Sequence, residues 1–456
     1  MSLAESPVHS SSSDGFAGLL ERELESGSSE SSPDEGDKAA DDDGSDVESE
    51  SRIKRRKVEN LESLEETVAS TSQGLSEEKS EATAIEDMCA HPGSFGDMCF
   101  LCGQRLIEQS GVTFGYIHKG LRLNNDEIDR LRNTDIKKSL NNKKLYLVLD
   151  LDHTLLNSTQ LNHMTAEEEY LMSPPDSLPD VLKGSLFRLD FMRMMTKLRP
   201  FIKTFLKEAS EIFEMYVYTM GDRAYALEMA KLLDPKKEYF GDRVISRDDG
   251  TQKHQKGLDI VLGQESAVLI LDDTENAWIK HKDNLILMER YHFFRSSCAQ
   301  FGFNCESLSE LKSDECEPEG ALANVLDLLK RIHKIFFYEL EGNLIDRDVR
   351  QVLKTVRKEV LKGCKVVFSR IIPSKVQADS HHLWKMAEQL GAICSTEVDS
   401  SVTHVVALDA GTEKSRWAVK QNKFLVHPLW LEAVNYMWRK QPEEKFPVTE
   451  TKSKTL

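Results

Sequence analysis

Between residues 140 and 300 the chain alternates short, wholly apolar runs with stretches at helical spacing. Leu145–Leu149 is an unbroken apolar run, as expected for a strand buried on both faces of a parallel sheet. Met215–Tyr218 and Ala267–Leu271 repeat that pattern. Arg223–Leu233 carries Ala224, Leu227, Ala230 and Leu232 on or near one face and is stopped by Asp234-Pro235, which predicts a helix. Buried strands separated by helices predict an α/β domain around a parallel sheet.

Roughly 60 residues separate Asn157 from Thr219, more than one crossover helix needs. Met164–Tyr170 reads as a helix, Ser173-Pro174-Pro175 and Leu178-Pro179 break it, and Phe187–Leu198 is basic and apolar by turns. This stretch predicts a flap or cap insertion beside the sheet, with no large separate cap domain, so the cleft there is expected to be open. Ala321–Leu340 (Leu322, Val325, Leu328, Leu329, Ile332) and Asp346–Leu361 (Val349, Val352, Leu353, Val356, Val360) predict two packing helices. Ser307–Gly320 is acidic and is expected to be a surface loop. From Lys362 to Val448 the order strand, helix, strand, strand, helix, strand, helix predicts a second, smaller α/β domain, with Trp430 as core.

The first 86 residues change the picture. They hold 23 acidic against 8 basic residues, a net of −15 in a chain of −18, with almost no aromatic residue. No core can form from such a composition, so residues 1–86 are expected to be disordered. Phe16, Leu19, Leu20 and Leu24 make one acidic amphipathic island, which suits either a basic groove on a partner or a transient helix. Arg52-Ile-Lys-Arg-Arg-Lys57 is a basic cluster, and Lys54, Arg55, Arg56 and Lys57 read as a nuclear import signal. Acids on both sides of it argue against direct nucleic-acid binding. No apolar run approaches membrane-spanning length, and the N-terminus lacks a secretory layout, so the expectation is a soluble nuclear protein without a membrane partner.

The chemistry sits where the apolar runs end. Asp150 and Asp152 follow the first strand, point to the same side, and precede Thr154. Two close carboxylates need a cation between them, or one must keep its proton. One can then serve as nucleophile toward a phosphoryl group and the other as proton shuttle. Read without chemistry, this is a strand ending in a turn with solvated aspartates. Three later signals argue otherwise: Thr219 and Gly221 after the second strand, Arg247 and Lys256 flanking a polar loop within SRDDGTQKHQKGL, and the pair Asp272-Asp273 after Ala267–Leu271.

LDLDHTLLNS resembles D-x-D-x-T-[LV], the first motif of the haloacid-dehalogenase-like (HAD-like) phosphatases, whose fold is a Rossmann-like α/β sheet. Together with KLRPF (Lys197 to Phe201), VYTMG, SRDDG, LILDDT and DNLILMERYHFF, it makes residues 140 to 295 similar to the RNA polymerase II carboxy-terminal-domain phosphatases of the TFIIF-associating class, as in their plant members. The resemblance implies a serine/threonine phosphatase acting on the phosphorylated tail of the polymerase's largest subunit. It implies Asp150 as the residue that becomes phosphoaspartate and Asp152 as general acid, then base. Thr219 and Lys256 would bind phosphate oxygens, with Arg247 near substrate or phosphate. Asp150, the Asp152 carbonyl and Asp273 would hold Mg²⁺, for which Mn²⁺ or Co²⁺ could substitute, with Asp272 orienting Lys256; which aspartate of that pair touches the metal stays open. GA at Gly391-Ala392, VTHVV and Trp430 resemble a BRCT domain, and Ser369 and Lys414 align with phosphoserine-binding positions of some BRCT domains, although Arg370 replaces the usual glycine. The family's acidic docking segment for the large subunit of TFIIF lies beyond its BRCT domain. Here Leu456 follows a basic KSK, so such a contact is expected elsewhere or weaker. Alternative readings are a DNA 3′-phosphatase, weakened by the absence of a Walker-type motif, and a catalytically weak BRCT scaffold.

The chain holds 8 cysteines, expected to be reduced in a nucleus. Cys89, His91, Cys99 and Cys102 follow C-x-H-x7-C-x2-C on a glycine-rich loop and are a candidate Zn²⁺ set, with a first spacing shorter than usual. The expected organisation is an acidic tail (1–86), a Cys/His segment (87–139), the phosphatase domain (140–300), a helical connector (301–360), the BRCT domain (361–449) and a short tail (450–456).

Overall fold

The computed structural model describes residues 89–107, 110–373 and 375–450. The acidic tail, the island around Phe16, the basic residues Lys54, Arg55, Arg56 and Lys57, and the end 451–456 lie outside the described residues.

A small sheet of order β2-β1-β4-β3 comes first: β1 (Gly93–Phe95), β2 (Met98–Cys99), β3 (Val112–Thr113) and β4 (Leu121–Leu123). The helix α1 (Asn125–Asn141) leads into β5 (Leu145–Leu149). Then follow β6 (Leu156–Gln160), β7 (Leu186–Leu189), β8 (Met194–Leu198), α2 (Ile202–Ile212), β9 (Phe213–Tyr218), α3 (Arg223–Leu233), β10 (Val244–Ile245), β11 (Val268–Asp272), β12 (Leu285–Leu287) and α4 (Arg295–Gln300). Helices α5 (Ala321–Lys334) and α6 (Val349–Glu359) connect to β13 (Lys365–Ser369), α7 (His382–Gln389), β14 (Ile393–Ser395), β15 (His404–Ala407), α8 (Glu413–Lys420), β16 (Phe424–Val426) and α9 (Leu429–Met437).

The central sheet has the order β10-β9-β5-β11-β12, and every pairing is parallel. All five residues of β5 are buried, as expected for a central strand of a parallel sheet covered on both faces. Its neighbours are β9 and β11, so the residues that follow these three strands meet at one carboxyl edge, at the topological switch point. Register fixes this: Leu149 lies opposite both Val217 and Leu271, and the Asp150 N–H donates to the Leu271 carbonyl at 3.0 Å.

The insertion after β5 is a three-stranded antiparallel flap of order β6-β8-β7. The helix expected over Met164–Tyr170 is a 3₁₀ segment, Ala166–Met172, closed by a Thr165–Glu168 capping box. Its glutamates do not all face water. The Glu168 carboxylate is buried and accepts from the Arg295 N–H at 2.9 Å and from Ser309 Oγ at 2.5 Å, which ties the turn to α4.

Residues 307–320 form the expected loop, exposed at 311, 312 and 316–319, but it is anchored inward by several side chains. Ser307 and Ser309 are buried, Asp314 meets Lys197 at 2.5 Å with both side chains buried, and Glu315 forks onto Arg199 at 2.9 and 2.7 Å. Asp314 and Glu315 neutralise two buried basic residues, Lys197 on β8 and Arg199 just after it. Lys197→Met is therefore expected to cost about 3–5 kcal/mol at neutral pH by stranding Asp314. Burial holds the Asp314 carboxyl above its ordinary range. The deficit should fade as acid protonates Asp314, which denaturant titrations at two pH values would show.

In the C-terminal domain the parallel sheet has the order β14-β13-β15-β16. Trp430 is fully buried, stacked on His404 with centroids 4.7 Å apart, and its Nε1 donates to the Gln441 carbonyl at 2.9 Å. Gly391 has φ +93, and a Cβ there would lie 1.8 Å from the Lys358 carbonyl, so α6 and α7 approach only because this residue is glycine. Trp438 joins the core of the first domain, and Arg357 donates to Asn435 Oδ1 at 2.6 Å across the same junction. Among the described residues no helix is long and apolar enough to cross a membrane.

Candidate active site

Asp150 directly follows β5, Asp272 ends β11, and Lys256 comes from the loop between β10 and β11. The Lys256 ammonium lies 2.5 Å from Asp150 Oδ1 and 2.6 Å from Asp272 Oδ2, and all three groups are buried. The rings of Tyr218 and Trp278 stand over that ammonium, at 5.7 and 5.8 Å. Asp272 also accepts from Trp278 Nε1 and from the Thr274 N–H, each at 2.8 Å, so its carboxylate is committed to holding the lysine in place. Asp273 accepts from Arg290 Nε at 2.5 Å.

Asp152 is held by different partners. Its Oδ2 accepts from Thr219 Oγ1 at 3.1 Å and its Oδ1 from the Tyr225 hydroxyl at 2.5 Å. Tyr225 also meets Ser158 Oγ at 3.1 Å. Thr219 Oγ1 in turn accepts from the Gly221 N–H at 2.9 Å. A Cβ on Gly221 would lie 2.4 Å from Tyr225 Cδ1, so glycine allows that ring to reach Asp152. Gly221→Ala should displace the ring, weaken turnover and cost about 1–3 kcal/mol of stability, which paired kinetic and melting measurements would check.

The D-x-D-x-T turn is pinned from below. His153 adopts a left-handed backbone (φ +63), and its carbonyl accepts from the Tyr291 N–H at 2.7 Å. Asn157 Oδ1 accepts from the N–H groups of Phe293 and Phe294 at 2.9 and 3.0 Å. Burial, with repulsion from His153 and Arg290, pushes the neighbouring His292 imidazole down to about 3, so it stays neutral.

Electrostatics at the carboxyl edge are unbalanced. Burial first, and then repulsion from Asp272, holds the Asp150 carboxyl well above its usual range. Asp272 is likewise raised by burial, against the pull of Lys256. Burial alone would lower the lysine, but the two carboxylates outweigh it and the ammonium is held protonated. Oxygens of Asp150, Asp272 and Asp273 lie within 4.8 Å of one another, three carboxylates against the two cations Lys256 and Arg290. An all-oxygen set with surplus negative charge fits a hard divalent cation.

The Arg247 side chain is largely exposed, with Asp248 at 4.0 Å, while its N–H donates to the Gly221 carbonyl at 2.9 Å. It stands at the rim, beside the Thr219 loop. In the C-terminal domain Ser369 is buried and shares a hydrogen bond with Thr412 Oγ1 at 2.7 Å, while Lys414 donates to the Thr396 carbonyl at 2.5 Å. Cys89, His91, Cys99 and Cys102 are brought together in the small first sheet. Sequence reasoning missed Tyr225, Trp278 and Arg290. Tyr225 lies on the helix after the Thr219 loop, and the other two follow the Asp272-Asp273 pair, so nearness to those motifs was the available signal.

Residues 145–311 match the NLI interacting factor-like phosphatase family, and residues 370–430 match the twin BRCT domain family. The chain is 60% identical over 457 residues to RNA polymerase II C-terminal domain phosphatase-like 4 of Arabidopsis thaliana, covering 99% of this chain and 98% of that one. It is 44% identical over 321 residues to RNA polymerase II C-terminal domain phosphatase-like 3 of the same plant, covering 68% of this chain and 26% of that longer one. The solved structure of Fcp1, an essential RNA polymerase II CTD phosphatase, superposes with a TM-score of 0.56 at 27% identity, over 70% of this chain and all of that one. A further solved structure with the same TM-score, from fission yeast, holds beryllium fluoride. With a phosphatase domain followed by a BRCT domain, and a relative this similar along its whole length, the chain belongs to the RNA polymerase II C-terminal domain phosphatase family.

Proposed function

We propose that this phosphatase removes phosphate from serine or threonine in the phosphorylated C-terminal repeat of the polymerase's largest subunit, through a phosphoaspartate at Asp150. What carries the reading is the meeting of Asp150, Lys256 and Asp272 at the ends of two neighbouring strands and one loop, with Asp152 facing the same edge on its own partners. With Oδ1 of Asp150 turned to Lys256, Oδ2 is the atom we assign to attack phosphorus. As the P–O bond to the side chain breaks, Asp152 gives its proton to the leaving oxygen. Asp152 then takes a proton from water, whose oxygen attacks the phosphorus and releases Asp150 and inorganic phosphate.

To Lys256 and Thr219 we assign the phosphate oxygens, and to Arg247 at the rim a contact with substrate or phosphate. Mg²⁺ is the resident ion we assign to Asp150, Asp273 and the Asp152 carbonyl, where it would offset the repulsion between a phosphate dianion and a carboxylate. Because burial raises Asp150, protons compete with the ion at that ligand, so apparent Mg²⁺ affinity should fall as pH falls. Magnesium titrations of activity at several pH values would reveal it, and a pH-independent affinity would count against the assignment.

Tyr225 positions Asp152 and does not touch the reacting atoms in this scheme. Tyr225→Phe should lower kcat about tenfold with KM little changed and alter the pH profile of kcat. Equal loss in kcat at every pH would point to a structural effect only.

A repetitive tail offers many phosphosites on one flexible chain, which raises effective concentration after the first engagement. Capture of a phosphopeptide by Ser369 and Lys414 would first have to break their contacts with Thr412 and Thr396, so the substrate reading rests on the catalytic cleft. A nuclear location and a contact with the large subunit of TFIIF belong to the same proposal. The test is Mg²⁺-dependent release of phosphate from repeat phosphopeptides, measured beside a 3′-phosphorylated DNA end. Preference for the DNA would overturn the substrate.

A further inference from the structure

The four residues Cys89, His91, Cys99 and Cys102 take no part in the phosphatase site, yet their ligand atoms all lie within 4.8 Å of one another. Cys89 Sγ stands 3.9 Å from Cys99 Sγ, and Cys102 Sγ stands 3.5 Å from His91 Nδ1. Ligands at about 2.0–2.3 Å from a tetrahedral ion make edges of that length. Backbone N–H groups already point at the sulfurs: His91 onto Cys89 Sγ and Leu101 onto Cys99 Sγ, each at 3.4 Å. The turn from Cys99 to Cys102 is closed by the Gly103 N–H on the Cys99 carbonyl at 2.9 Å, with Gly103 at φ +72. That turn places both sulfurs on one side. All the cysteines are free thiols, so no disulfide accounts for the grouping.

Packing gives an independent reason. Among the described residues, no side chain of 89–107 enters a hydrophobic cluster, and β1 and β2 are three and two residues long. Phe95, Met98, Phe100 and Leu101 are exposed. A segment this small, without a core, needs a cross-link to hold one shape.

We propose that these residues bind one structural Zn²⁺, which orders 89–107 and, through it, the loop that carries Lys256. The path is continuous. Asn124 donates its N–H to the Pro92 carbonyl at 2.9 Å and its Nδ2 to the His91 carbonyl at 3.1 Å, while its Oδ1 caps α1 through the Glu127 N–H at 2.7 Å. From α1, Arg132 donates to the carbonyls of Leu258 at 2.8 Å and of Asp259 and Val261, each at 3.0 Å. The Tyr116 hydroxyl adds a bond to the Ile260 carbonyl at 2.9 Å. Those carbonyls begin two residues after Lys256.

Full-length protein purified without chelator should contain about one zinc per chain by elemental analysis. Cobalt-exchanged protein should show sulfur-to-metal charge transfer and tetrahedral ligand-field bands. Cys99→Ser should lose the metal, whereas Cys305→Ser should keep it. Removing zinc should speed amide exchange about tenfold or more in 89–107 and in 256–261. Less than about 0.1 zinc per chain with no cobalt band, or a Cys89–Cys99 disulfide in protein isolated without reductant, would overturn the site. Unchanged exchange at 256–261 after zinc loss would overturn the coupling to Lys256. Should Cys99→Ser fail to fold, the cobalt spectrum of the unmodified chain decides. Lys256→Met should retain its zinc, so failure of the phosphatase reading and failure of this one are separable.

Discussion

Asp150→Asn is expected to cut turnover of phosphopeptides by on the order of 10⁴-fold or more, because an amide cannot accept the phosphoryl group. The same substitution should leave the metal-free protein as stable as before, or more stable. Burial and the nearby charge of Asp272 hold the Asp150 carboxyl above its usual range, so the fold resists its negative charge at neutral pH. Removing that charge takes away a cost and keeps an oxygen for Lys256. The two effects run in opposite directions, and this separates chemistry from folding. Kinetics with Mg²⁺ and thermal melts without divalent metal would check both. A variant with activity within tenfold of the parent would contradict the assignment of the nucleophile.

Lys256→Met should lose on both counts. It removes the ammonium that lies 2.5 Å from Asp150 and 2.6 Å from Asp272, leaving two buried carboxylates face to face. Breaking a buried pair in this way costs about 3–5 kcal/mol. Loss of a fixed cation at the phosphate should lower kcat by about 10²–10³-fold. The sign of the pH dependence follows from the carboxyls. Both are raised by burial already, and without the lysine they rise further. The stability deficit should be full above those raised values and shrink as acid protonates the pair. Added Mg²⁺ should recover part of it at neutral pH. Unfolding curves at acidic and neutral pH, with and without the ion, would measure each of these changes. A deficit that grows in acid would contradict the buried-charge account.

Much of the site could be read from the chain because each polar group sits immediately after a buried strand. Leu145–Leu149, the run ending at Thr219 and the run ending at Asp272 have no periodicity to confuse, and parallel strands deliver their carboxyl ends to one edge. The central place of β5 was not written in those runs, and it is this strand order that puts Asp150 between β9 and β11. Other features depend on partners remote in sequence. Nothing near Glu168 in sequence marks it as buried, since the Ser309 hydroxyl that meets it lies 141 positions away. The inward turn of Asp314 and Glu315 was hidden because nothing local reveals that Lys197 and Arg199 are buried and need them. Tyr225 was hidden for a similar reason: its role exists only because Gly221 has no side chain and Asp152 lies across the turn.

The most direct test is to quench turnover on a phosphopeptide with borohydride and map the reduced product by mass spectrometry. Covalent transfer to a carboxylate predicts that position 150 alone is converted to homoserine, and that Asp150→Asn shows no conversion anywhere. Conversion at another acid, or phosphate release with no trapped adduct from an active enzyme, would contradict the mechanism.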